Sequence, residues 1–451
     1  MNNHALEIIQ ECDNWYANRI VEDFHKRKNI NDVTQTIARM NFAKRCCADD
    51  ANLCEIISVV PKKDEKNKEF VEQLLRDNRF HTMYREQLEK VAAAGTVGAY
   101  IYLKDATYVK EPGGAVKVKD GTVKINYVDA DCIIPLSVEN GLVTECAFAG
   151  TEKVKGKERT TLVMFTIENE KYVADTRVYD HEGKEIEGMC ASIQLGETKP
   201  FAIMKNAEVN NLDNMTGYGL PKIYNAIPLF KALDLAYNIL YGDIDKGQKM
   251  VFLNELLACV KVDENGKKFL SKEQKEMFIL LGEKLPSADL LIKEYNPEIR
   301  VEDITKLFEL ILSLLSMSFG YGTKKYTFEN GQIKTATEYI GERQDAMQEL
   351  NKQRKQAVDY ICDIVNAAVW FSNNFSKTTL NENIVYTVEF DDSYIEDRVT
   401  KLESMRADAI SFPDVPWLLY TYLKTKYNLT DKEAQKYITE GSIEEVDELE
   451  D

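Results

Sequence analysis

Residues 313–338 read SLLSMSFGYGTKKYTFENGQIKTATE, and the fold turns on how this stretch is parsed. An apolar helical pattern ends in Phe319-Gly320-Tyr321-Gly322. A short basic and aromatic segment follows, Thr323-Lys324-Lys325-Tyr326-Thr327-Phe328, and Asn330-Gly331 marks a turn. Thr335 and Glu338 have the spacing of a capping box with Thr335 at the N-cap. They open a helical pattern (Ile340, Met347, Leu350, Ala357, Ile361, Val365) that persists to about Trp370, roughly 50 Å of helix at 1.5 Å per residue. A helix, a lysine-bearing loop and a longer helix suit a part that borders a passage better than one that closes a catalytic pocket.

Upstream, residues 301–318 carry a helical stripe of Ile304, Leu307, Phe308, Ile311, Leu314 and Leu315. Packing within the chain and packing against a neighbouring copy predict the same stripe, because both bury one face. Residues 250–299 read as a compact α/β insert. Its parts are apolar Val251 to Val262, the turn Glu264-Asn265-Gly266, a short helix near Ser271 to Leu281, and the extended Asp289-Leu290-Leu291-Ile292. Residues 216–249 read helical after the turn Gly217-Tyr218-Gly219, with Pro228 expected to kink the helix or start a second one.

Residues 99–205 are different in character. Val123-Lys124-Ile125-Asn126-Tyr127 alternates, and Pro112-Gly113-Gly114, Asp120-Gly121, Asn140-Gly141 and Glu182-Gly183 are turn signals. A twisted, mostly antiparallel sheet of hairpins is predicted. Residues 5–94 read helical, with one long helix from about Lys68 to Ala94 stopped by Gly95. Asn383 to Phe390 alternates as one strand, small helices follow, and the last residues (Glu444, Glu445, Asp447, Glu448, Glu450, Asp451) read as a solvated acidic tail.

At 451 residues the chain can hold several domains and bury a sizeable core. Its net charge of −18 excludes wrapping nucleic acid by general phosphate neutralisation, which needs clustered Lys and Arg. Met1-Asn2-Asn3-His4 leads into an amphipathic helix without a secretory pattern, and the most apolar run, Leu307 to Phe319, is too short to span a bilayer. The nine cysteines form no CxxC, which points to buried reduced thiols.

Candidate chemistry is sparse. Gly320-Tyr321-Gly322-Thr323-Lys324-Lys325 only superficially matches a phosphate-binding loop, which requires GxxxxGK[ST] between a strand and a helix. A helix C-cap glycine followed by a surface loop explains it better. Asp391, Asp392 and Asp397 sit where a metal-dependent nuclease would place carboxylates, but neighbours at a strand end and helix start are usually caps. Asp129 and Asp131 share a strand face without a third ligand. The four histidines, including His25 ahead of Lys26-Arg27-Lys28, read as surface residues, and no GxSxG elbow occurs.

Several segments resemble, in order, the portal protein family of tailed bacteriophages, in particular the long-tailed phage type. They are Val91-Ala92-Ala93-Ala94-Gly95 before a strand, then Tyr127-Val128-Asp129-Ala130-Asp131 with Ile134-Pro135 and Glu139-Asn140-Gly141. Gly217-Tyr218-Gly219-Leu220-Pro221 follows, with Leu229-Phe230-Lys231-Ala232-Leu233-Asp234-Leu235-Ala236-Tyr237, then Lys334-Thr335-Ala336-Thr337-Glu338 and Phe390-Asp391-Asp392-Ser393 with Asp397-Arg398. The match covers roughly residues 90–440, and Pro228 departs from it where a continuous helix is expected.

The resemblance implies an α+β portal fold. Residues 1–215 would be the wing, 216–249 stem helix 1, 250–299 a small α/β clip and 300–318 stem helix 2. Residues 319–335 would be the tunnel loop, 336–373 the long channel helix, 374–394 a wing strand, and 395–451 an α-helical crown and acidic tail. It implies a homo-oligomeric ring, usually of about twelve copies, at one capsid vertex of the virion, assembled in the host cytoplasm. Its partners would be the terminase packaging motor, the head-completion or adaptor proteins, and the scaffold and major capsid proteins. Double-stranded DNA would pass through without sequence specificity, and no membrane, cofactor, metal or active site is implied. Lys324, Lys325 and Lys334 would touch DNA from the tunnel loop, and Ile304, Leu307, Phe308, Ile311, Leu314 and Leu315 would pack subunits in the stem. Twelve copies at −18 each would carry roughly 216 negative charges, a wall that repels a duplex bearing about one charge per 1.7 Å. Two other readings stay open: an Mg-dependent nucleic-acid enzyme using Asp391, Asp392 and Asp397, and a monomeric virion adaptor.

Overall fold

The computed structural model describes residues 3–28, 32–62, 64–110, 116–119, 121–154, 156–186, 189–247, 250–254, 261–262, 268–269, 278–281, 292–295, 300–323, 325–326, 336–376, 378–390, 398–413, 415–427, 429 and 434. The chain is a mixed α+β protein. Its helices are α1 (Asn3–Tyr16), α2 (Glu22–His25), α3 (Phe42–Ala51), α4 (Glu65–Asp77), α5 (Phe80–Ala94), α6 (Ile227–Lys246), α7 (Val301–Ser318), α8 (Ala336–Phe375), α9 (Arg398–Ser411) and α10 (Pro416–Tyr427).

The N-terminal region departs from the all-helical expectation in three ways, the first being that Lys26–Lys28 and Thr34–Thr36 are strands paired antiparallel. Ile56–Pro61 is a strand, paired antiparallel with Tyr386–Phe390. Its β-branched run Ile56-Ile57-Ser58-Val59-Val60 favours the extended form. The partner strand lies more than 300 residues away, so local propensity alone does not reveal the pairing. The expected single helix over 68–94 is two helices broken at Asn78-Arg79. The Asn78 amide donates to the Leu74 carbonyl at 2.8 Å, and its oxygen accepts from the Ile125 N–H at 3.0 Å. Arg79 then turns left-handed at φ +49°.

The sheet region follows the predicted antiparallel plan. One sheet runs in the order 191–194, 171–179, 157–168, 142–154, 133–139, and a second in the order 201–205, 96–104, 122–129. Asn140 (φ +50°) and Gly141 (φ +80°) form the hairpin turn that this dipeptide favours. Tyr100, Phe148, Phe165 and Phe201 join the two sheets, with ring centroids 5.1–6.0 Å apart. The C-terminal half of α8 lies on the three-stranded sheet, and Ala357, Tyr360, Ile361, Ile364, Val365 and Ala368 are buried there.

The insert also differs from expectation. Phe278–Leu281, assigned from sequence to the end of a short helix, is a strand parallel to Val251–Asn254. Four consecutive apolar residues fit a strand covered on both faces as well as they fit a helix turn, and pairing decides between them. Ile292–Tyr295 completes this sheet antiparallel to Met250–Leu253.

Of the two outcomes expected at Pro228 the second holds: it does not kink α6 but starts it. It stands in the first turn of the helix, after a 3-10 turn over Tyr224–Ala226, where its missing N–H costs nothing. The two glycines that precede it have a packing cause. A Cβ on Gly219 would stand 2.3 Å from the Gly95 carbonyl oxygen, and one on Gly217 (φ +89°) would stand 2.7 Å from Pro135. The 217–222 segment is thereby laid on the end of α5, with Gly219 N–H donating to Thr96 Oγ1 at 2.8 Å and Lys222 N–H to the Ala92 carbonyl at 2.9 Å.

Candidate functional site

Helices α6 and α7 form an antiparallel pair, and a bidentate ion pair, Arg300 to Asp243 at 2.9–3.1 Å, joins the end of α6 to the start of α7. The stripe read from the sequence divides between two faces of α7. Ile304, Phe308, Ile311 and Leu315 are buried within the chain. Leu307 and Leu314 belong instead to an outward seam with Leu310 and Met317, and Leu310 is 59% and Met317 57% exposed. Residues 307, 310, 314 and 317 follow the 3-4-3 spacing of a helix-packing seam. At 3.6 residues per turn the two faces lie about 110° apart. The outer half of α6 also exposes apolar side chains: Tyr241 (58% exposed) and Ile244 lie about 60° apart round the helix, and Ile239 lies on the opposite side.

The far end of α7 runs into the loop. Tyr321 N–H bonds the Ser316 carbonyl at 3.0 Å and Gly320 N–H the Met317 carbonyl at 3.1 Å, the paired closure of a Schellman cap. Gly320 takes φ +75°, the left-handed geometry that this cap needs, and the C-cap reading of the glycine holds. A Cβ there would press within 3.2 Å of Glu349. The next residues are tied back as well. Tyr326 N–H donates to Ser316 Oγ at 3.1 Å, and its ring meets Phe42 edge-on at 5.0 Å. Lys325 is half-buried, with Nζ 5.8 Å from the Tyr321 ring centroid. Lys324 and Lys334 lie outside the described residues, as do the proposed Thr335 cap and Asp391, Asp392 and Asp397.

Beneath the cap is a charge cluster that pattern reading of the sequence missed. Lys222 is buried, with Nζ 2.6 Å from Asp50 Oδ1 on α3 and 3.5 Å from Glu349 Oε1 on α8. Its ammonium lies 5.4 Å from the Tyr321 ring centroid and 5.8 Å from that of Phe319, and the Tyr321 hydroxyl donates to the same Asp50 oxygen at 2.5 Å. Burial works to lower the Lys222 pKa, and Asp50 and Glu349 outweigh it, so the group stays charged. Burial raises the Glu208 pKa, and Glu349 and Asp50 add to the shift while Lys222 opposes it. No local signal marks Lys222, because its partners are brought in from separate helices.

Glu208 supplies a pH prediction. Its carboxyl holds its proton more tightly folded than unfolded, so folding disfavours its ionised form. The penalty is absent at pH below both pKa values and complete above the folded one. Glu208→Gln should therefore raise the thermal midpoint at pH of about 7–8 and lose that advantage as pH falls toward about 4. The gain is about 1 kcal/mol or less, because the group is partly solvated. A pH series of melting curves checks both the sign and the convergence.

Other candidate groups serve structure. His25, expected at the surface, is buried between Trp15 and Phe24, with ring centroids at 5.3 and 4.9 Å. Its Nδ1 accepts from Val21 N–H at 3.0 Å, and its Nε2 lies 3.0 Å from Asp234 Oδ2 on α6. The pair ties the N-terminal segment to α6. Burial pushes the thiols of Cys46, Cys54 and Cys146 up to about 12, so they stay protonated. Asp129 and Asp131 line a cleft of about 510 Å³ with Asp13 and Arg19, and Asp129 is held by Lys90 at 2.9 Å. Among the described residues no group of three His, Cys, Asp or Glu is placed to hold a metal ion. Among the same residues no helix is long and apolar enough to cross a membrane. No family model matches the chain, and no curated protein matches it.

Proposed function

We propose that the chain is the protomer of a phage portal ring, a channel for DNA packaging and ejection on which the packaging motor and head-tail connector dock. One observation carries this reading: a two-helix stem with two separate open apolar faces. The seam Leu307, Leu310, Leu314, Met317 and the α6 face at Tyr241 and Ile244 both belong to one helix pair. Two different sticky faces on one protomer make a head-to-tail contact, and such contacts close into rings when the rotation permits. Each of these half-exposed apolar side chains contributes about 1 kcal/mol when a neighbour covers it, and several such residues per interface in sum hold a ring together.

The order of elements around the stem supports the same reading. The small sheet of residues 250–295 lies between α6 and α7 in sequence, the lysine-bearing loop follows α7, and the long α8 follows the loop. A channel must let the duplex slide, and the overall charge of −18 disfavours a tight hold on phosphate. Loop lysines would brush the backbone at a few points. The α9–α10 hairpin, with Ile410, Phe412, Trp417 and Leu419 exposed, is a further surface for neighbouring copies at the crown end.

The loop gives the functional test. Lys324→Ala combined with Lys325→Ala should leave rings intact and lower the DNA packaged per particle several-fold. Phage particles assembled with the variant, assayed for nuclease-protected DNA, provide the measurement. Unchanged DNA content in intact rings would remove these lysines from the mechanism, and loss of rings would make them structural.

A further inference from the structure

Two short strands leave a gap between the sheets. Strand 201–205 pairs with residues 96–100 of its neighbour, and the bond from Ile101 N–H to the Pro200 carbonyl at 3.1 Å ends the pairing on that side among the described residues. Pro200 has no N–H with which to extend the ladder. Strand 96–104 runs on, paired along its other side with 122–129 as far as Lys104. In the five-stranded sheet, strand 191–194 covers only residues 173–176 of its neighbour. Beside these two strands is a half-open cleft of about 240 Å³. Tyr100 and Leu103 line it from one sheet, Phe165 and Ile193 from the other, and Phe371 and Phe375 from the end of α8. Its lining side chains are hydrocarbon apart from the hydroxyls of Thr176, Tyr100 and Tyr102, and none is charged. Asn126 engages the Tyr100 hydroxyl, which leaves Thr176 and Tyr102 to meet a ligand.

We propose that this cleft is a binding site for a small neutral aromatic molecule of one or two rings. Its size, its charge and its lining select that class. The volume lies below the roughly 300–1,000 Å³ of pockets that take larger ligands, and a helix about 10 Å across does not enter it. The lining offers no ion to pair with a charged ligand, and an unpaired buried charge is costly. Aromatic rings dominate the walls. The Tyr100 and Phe165 centroids are 5.8 Å apart and those of Phe371 and Phe375 5.5 Å apart, spacings at which a further ring packs offset or edge to face. Water in the cleft finds few polar partners, so an apolar molecule that displaces it gains free energy. None of the lining residues belongs to α6 or α7, and the site stands or falls independently of the portal reading.

Indole is the probe, titrated into the chain by calorimetry and followed by melting curves. One saturable site is expected, with a Kd on the order of 1 mM or tighter. Binding should carry a negative heat-capacity change, and the melting midpoint should rise with indole concentration. Ala174→Leu and Thr176→Leu each push methyl groups into the cleft from strand 171–179. Each should weaken indole binding at least about tenfold while melting stays cooperative, and either one suffices if the other fails to fold. No saturable binding at indole concentrations on the order of 10 mM would overturn the site. Undiminished binding by the folded variants would overturn it as well, because indole would then sit elsewhere. Binding by single chains that vanishes on self-association would give the cleft to a neighbouring copy, and the small-molecule site would fall.

Discussion

Leu310→Asp together with Leu314→Asp should leave the protomer folded and abolish assembly. Both side chains lie on the outward seam of α7, Leu310 59% and Leu314 37% exposed within one chain, so the monomer loses little core packing. In a ring the same positions would be covered by a neighbour. Two unpaired carboxylates would then be buried in every interface, on top of the lost apolar contact. The combined effect is several kcal/mol per interface, which corresponds to more than about a thousandfold in affinity. Light scattering after gel filtration should give a single species near 51.6 kDa. Circular dichroism should match the parent chain, and the variant should still melt cooperatively, at a midpoint lowered only by the stabilisation that the ring contacts lend. Assembly unaffected by the double substitution would place the ring contact elsewhere.

Ile311→Asp should have the opposite pattern, with its main effect on the fold. Ile311 is buried on the inward face of α7, close to Ile304, Phe308 and Leu315. The substitution removes a core side chain, which costs about 2–5 kcal/mol when a large aliphatic is truncated, and introduces an ion without a partner. A loss of at least about 4 kcal/mol is expected, a large share of a typical domain's stability. Urea unfolding measures it, and Ile311→Val, expected to cost about 1 kcal/mol, shows whether the site responds to volume alone. A variant within about 1 kcal/mol of the parent would mean that this face is not packed. The contrast between positions 310 and 311, adjacent in sequence, separates assembly from folding.

That contrast also marks how far the sequence was legible. The spacing of Ile304, Phe308, Ile311 and Leu315 predicted α7, and Asn140-Gly141 predicted a hairpin. Leu307 and Leu314 fall into the same stripe by spacing because both faces of α7 carry leucines, and composition does not encode which neighbour covers which face. The helix over 336–375 was foreseen from its period, and its end lies at Phe375, a turn beyond Trp370. The strand Ile56–Pro61 was missed because its partner is distant, and His25 because its basic neighbours suggested solvent while its ring turns toward Asp234. Lys222 is silent in the sequence for a similar reason. A buried lysine has no sequence signature apart from the carboxylates that reach it, and those come from α3 and α8.

Negative-stain imaging of the purified chain, with its mass in solution, addresses the central claim most directly. Rings of identical copies around an open channel, persisting in low and high salt, are the expected result. A homogeneous particle near 51.6 kDa under both conditions would contradict the claim that the open faces of α6 and α7 seal against copies of the same chain.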